Sequence, residues 1–157
     1  LGGCLFWGWL RMHPVLHLPV EAVALPIAFI GLTTKWRIGA GFYLACLIGT
    51  AFTDLMMVVT GVMERWPEVV NLPLENASEI LQSTAFRLLN PLSILLIAIA
   101  AVVIAFIANQ MRQRGNLANS LEGAAWLVAS AALTTTLWVD GLFLVTTLIQ
   151  PTLSGLI

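Results

Sequence analysis

Apolar residues run along this chain in long blocks separated by short polar gaps, the pattern of membrane spans. It predicts an all-α, polytopic transmembrane helix bundle within one membrane domain, residues 1–157. About four spans follow a truncated first one. Leu1–Leu10 is apolar but too short to cross alone, since a span needs about 20 residues. It carries no basic start and no small-residue cleavage site, which argues against a signal peptide. It reads as the end of a span with more membrane chain upstream, and Trp7, Trp9 and Arg11 form an interface anchor.

The next apolar blocks are 13–32, 39–63, 91–110 and 117–149. Pro14 suits a first helical turn, whereas Pro19 and Pro26 each remove a backbone bond and predict a kinked first span. Gly41, Gly49 and Thr53 in the second span permit close approach of a neighbour. Ala98, Ala101 and Ala105 offer a similar face in the third. Residues 111–116 read as a loop, and the fourth span is long enough to tilt. The polar stretch 64–90 is water-exposed, with a short amphipathic helix whose stripe is Ile80, Leu81, Ala85, Leu88 and Leu89.

Composition agrees with lipid as the solvent. The chain is 59% hydrophobic and 10% charged, against roughly 25% charged in soluble domains. A net charge of −1 leaves no basic field for nucleic acid. Cys4 and Cys46 lie in apolar runs and read as small hydrophobes. Alternation puts Lys35, Arg37, Arg112 and Arg114 on one side and Arg11, Arg65 and Arg87 on the other. The positive-inside rule makes the Lys35 side cytoplasmic, or stromal in a plastid.

Candidate chemistry is sparse. Glu21, Asp54 and Asp140 lie inside spans, where insertion costs about 2.5–3.5 kcal/mol each. Each falls roughly 12–14 Å from the span end on the His13 side, so the three could meet as an ion or proton path. The bland alternative bonds each to a neighbouring helix through Thr50, Thr53, Thr134, Thr135, Thr136 or Trp138. His13, His17 and Glu21 step by four and share one face of an uninterrupted helix. They have zinc-ligand types, but Pro19 interrupts the geometry, and two histidines cannot build a di-iron centre. A single imidazole donating to the magnesium of a chlorophyll, or simply capping the helix start, fits as well. No nucleophile elbow and no phosphate loop occur, so an enzyme is not expected.

The strings HPVLHLPVEA, GTAFTDL and WGWLR, within residues 5–70, resemble an uncharacterised multi-pass membrane family of cyanobacteria and photosynthetic plastids. The resemblance implies a thylakoid protein. By association it implies an accessory subunit of a photosynthetic complex, photosystem I with its antenna, packed against larger membrane subunits and lipids. Chlorophyll and carotenoid are the expected cofactors. The expected ligands are His13 and His17, then Glu21, Asn109 and Gln110, with Trp7, Trp9, Phe29, Phe42 and Phe106 along pigment rings. The alternative is a small ion, proton or solute transporter using Glu21, Asp54 and Asp140.

Overall fold

The computed structural model describes residues 14–72, 74–118 and 120–150, and every regular element in them is helical. Leu1–Leu10, Trp7, Trp9, Arg11 and His13 lie outside the described residues, as does the side chain of His17. The elements are α1 (Pro14–Glu21), a 3-10 turn (Ala22–Ala24), α2 (Leu25–Gly31), α3 (Arg37–Val59), α4 (Trp66–Asn71), α5 (Leu74–Arg87), α6 (Pro91–Leu117) and α7 (Leu121–Ile149). Three of them, α3, α6 and α7, are long and apolar enough to cross a membrane, and the chain is an integral membrane helix bundle.

The first predicted span is broken, but not at Pro19, which sits inside α1. The break is set by Pro26. Its missing N–H leaves the Ala22 carbonyl open. The Leu25 N–H takes that carbonyl in a 3-10 bond. This in turn releases the Glu21 carbonyl, and the Tyr43 hydroxyl of α3 donates to it. One proline is thus compensated by one side chain from a neighbouring helix, as lipid requires.

Helix α3 begins at Arg37 and ends at Val59, short of the expected Met63. Gly61, with φ at 75°, turns the chain. The last carbonyls are taken by the Gly61 N–H on Val58 (3.1 Å) and the Met63 N–H on Met57 (3.0 Å). Helix α6 continues through the expected loop 111–116 to Leu117. Met, Arg and Gln favour helix, so polarity there marks the exit from lipid and not the end of the helix. At about 1.5 Å per residue its 27 residues reach about 40 Å, past a ~30 Å core. Asn90 caps its start, accepting from the Ser93 N–H at 2.9 Å, with Pro91 in the first turn. Helix α7 starts four residues later than expected, at Leu121. Ser120 is its N-cap and accepts from the Glu122 N–H at 3.3 Å.

The polar stretch 64–90 holds two helices where one was expected. The buried stripe of α5 is Ala77, Leu81, Thr84 and Ala85, with Ile80 alongside, while Leu89 is exposed. Leu81 and Ala77 pack with Val69 of α4 and Phe143 of α7. Gln82 Nε2 donates to the Leu148 carbonyl at 3.3 Å, covering one of the orphan carbonyls at the end of α7.

The three long helices pack together around a shared core. The largest interfaces of α7 are with α3 and α6, which also touch each other, while α2 lies against α3. Helices α3 and α7 run parallel, because Gly41 meets Ala125, Gly49 meets Thr136 and Thr53 meets Asp140. The α2–α3 and α6–α7 turns therefore share one end of the bundle. The core is Ala45, Ile104, Ala108, Ala129, Ala132 and Leu133.

Candidate functional site

The seam between α3 and α7 is built from small residues. Gly41, Ala45 and Gly49 repeat every four positions and are buried. A Cβ on Gly49 would lie 2.9 Å from Thr136 Oγ1 and Cγ2, and one on Gly41 would lie 3.2 Å from the Ala125 carbonyl oxygen. Glycine lets the two backbones approach. One turn beyond Gly49, the same stripe reaches Thr53. Its hydroxyl donates to Asp140 Oδ2 at 2.5 Å, with the Gly49 carbonyl a second acceptor 3.1 Å away. Asp140 is half-buried in this seam, and Asp54 follows Thr53 on α3, also half-buried.

An interhelical hydrogen bond in a membrane is worth about 0.6 kcal/mol on average. A carboxylate at mid-span costs about 2.5–3.5 kcal/mol to insert. The Thr53 bond offsets only part of that cost, so Asp140 is kept at a net expense in stability. Thr53 is one of the six donors that the sequence offered for these acids.

Glu21 docks elsewhere on α3. Its backbone carbonyl accepts from the Tyr43 hydroxyl. Tyr43 precedes Thr53 by ten residues, about 15 Å along the helix. The three acids therefore attach to α3 at two levels and not at one. Asp54 also lies only five residues from the end of α3 at Val59, since that helix stops early. Tyr43 was missed in the sequence, although it is the sole tyrosine. A phenol inside an apolar run has to find a polar partner, and Pro26 stood nearby with a carbonyl to release.

Among the described residues no group of three or more His, Cys, Asp or Glu side chains is placed to hold a metal ion. The His13–His17–Glu21 set lies partly outside the described residues. Asn109 and Gln110 are exposed on α6, about two turns before its end instead of at it. Phe29, Phe42 and Phe106 are also exposed, on α2, α3 and α6. An open apolar groove of about 400 Å³ lies between α2 and the start of α3, lined among others by Ala28, Gly31, Trp36, Gly39 and Tyr43.

Comparison with known families places this arrangement in one of them. The model of the family described as "Protein of unknown function (DUF3120)" matches residues 1–148, so the likeness extends through α6 and α7, well past residue 70. No curated protein and no solved structure matches the chain. The chain belongs to the DUF3120 family.

Proposed function

We propose that this DUF3120 member is a non-catalytic accessory subunit of a photosynthetic membrane complex, photosystem I with its antenna, in the thylakoid of a cyanobacterium or plastid. The carrying observation is how little of each span the chain covers for itself. In the most apolar windows of α3, α6 and α7 only 11%, 17% and 22% of residues are buried. A bundle so thinly covered leaves most of its span surface open to larger membrane subunits, to lipid, and to chlorophyll or carotenoid beside Phe29, Phe42 and Phe106. The photosynthetic setting rests on the resemblance of the HPVLHLPVEA and GTAFTDL strings.

Purification in mild detergent tests it. Chlorophyll bands in the absorption spectrum and co-migrating photosystem polypeptides are expected, and a colourless protein migrating alone contradicts the reading. The Thr53–Asp140 bond beside Asp54 favours a second reading, a proton or cation path along the α3–α7 seam. In that case Asp140→Asn abolishes ion flux into proteoliposomes. In the subunit reading the variant assembles normally and no flux exists to lose.

A further inference from the structure

The groove between α2 and α3 has a distinct chemistry at its mouth. Its walls are mostly small or aliphatic, with Ala24, Ala28, Gly31, Gly39 and Ala40 opening the space and Trp36 at its rim. Trp36 is 70% exposed, a position suited to the membrane interface. Lys35 and Arg37 flank it. The Lys35 ammonium lies 5.9 Å from the Trp36 ring centre, and Arg37 Nε donates to the Thr34 carbonyl at 3.2 Å. Neither cation meets a carboxylate among the described residues. Arg112 and Arg114 lie at the same end of the bundle, with exposed Glu122 the one acid there among the described residues. The end is therefore net basic where the groove opens.

We propose that this groove is a binding site for one anionic glycerolipid, with an acyl chain along Ala28, Gly31 and Gly39 and the headgroup on Lys35 and Arg37. The two parts of the site match the two parts of such a lipid. An apolar slot of about 400 Å³ falls within the size range of small-molecule pockets. Two cations at its interfacial mouth select negative charge over zwitterionic headgroups. The inference is independent of the photosynthetic reading, because the site lies on α2 and α3 and would serve any partner or none.

Gly39 makes the test clean. It lines the groove, and a Cβ built there meets nothing within 4 Å. Gly39→Leu therefore has room for its Cβ and places an isobutyl group at the slot, and leucine favours helix over glycine. Native mass spectrometry of the detergent-purified chain is carried out with added phosphatidylglycerol, phosphatidylcholine or glycerol phosphate. The wild type is expected to retain one phosphatidylglycerol roughly tenfold better than phosphatidylcholine, and to ignore glycerol phosphate. The double variant Lys35→Gln/Arg37→Gln loses that preference, roughly tenfold. Gly39→Leu loses binding of the lipid while its helical circular dichroism is unchanged. Equal retention of the two lipids, binding of the headgroup alone, a tightly held pigment in place of lipid, or unaltered binding by Gly39→Leu overturns the proposal.

Discussion

Helices α6 and α7 are neighbours of similar length, yet they differ in polarity and in how many helices they meet. Residues 91–110 of α6 carry no charge, and its Leu92, Ile94, Leu95, Ile99, Val102 and Phe106 are exposed. Helix α7 carries Asp140 and three consecutive threonines, and it packs against α3, α6 and α5. Its buried residues are Gly123, Ala125, Ala129, Ser130, Ala132, Leu133 and Thr147, of which only Leu133 is larger than threonine. Lipid tails are as apolar as leucine, so hydrophobicity does not draw helices together in a bilayer. Close approach and hydrogen bonds do. The interior of this chain is its small and polar part, and its greasiest surface faces outward.

Substitutions that enlarge a seam glycine should break this arrangement most. A Cβ on Gly123 would lie 2.0 Å from the Ala118 carbonyl oxygen and 2.8 Å from that of Gly115. Both are backbone atoms of the tight α6–α7 connection. Gly123→Ala should cost about 3 kcal/mol or more, at the top of the range for overpacking. Titration with denaturing detergent, followed by loss of helical circular dichroism, measures it.

Gly49→Ala should cost less, about 1–2 kcal/mol, because Thr136 is a side chain that can partly yield. The glycine-to-alanine gain in helix propensity works against the clash. The companion Thr136→Ala should restore most of the loss, giving a coupling of about 1 kcal/mol in a double-mutant cycle. Additive effects would mean that the two residues do not meet.

Tyr43→Phe acts where α1 docks on α3. It leaves the Glu21 carbonyl without its donor, at about 1 kcal/mol. Proline and phenol are tied together here, so Pro26→Ala should make the Tyr43 change nearly silent by returning that carbonyl to its own helix. Hydrogen exchange in residues 14–31 reads both variants. The smallest effect on stability belongs to Ala98→Leu on the exposed side of α6, within about 0.5 kcal/mol. In the subunit reading this silent variant still loses co-purifying polypeptides.

Much of this was legible beforehand, and the exceptions have physical causes. The repeat Gly41, Gly49 and Thr53 announced a close helix contact, and those three residues make it. The Ala98, Ala101 and Ala105 stripe has the same signature, but α6 turns Ser93, Ile104, Ala108 and Gly115 inward instead. Small residues occur on both sides of α6, and the deciding bond comes from α7. Ser130 Oγ donates to the Ala108 carbonyl at 2.7 Å, a choice invisible from α6 alone. Span lengths were misjudged where polarity and helix end diverge, as at Met111–Leu117. The single depth for Glu21, Asp54 and Asp140 came from counting residues to assumed span ends, and it fails for Glu21 because α1 docks on Tyr43, whereas Asp140 meets Thr53 beside Asp54.

The proposed role makes the uncovered face of α6 an interface with another membrane polypeptide. A photo-crosslinking residue placed at Ala105 on that face, in native membranes, is the decisive test. A discrete adduct with a larger membrane subunit is expected, absent when the same residue replaces buried Ala129 in the core. Lipid adducts alone at Ala105, with no second polypeptide, would contradict it.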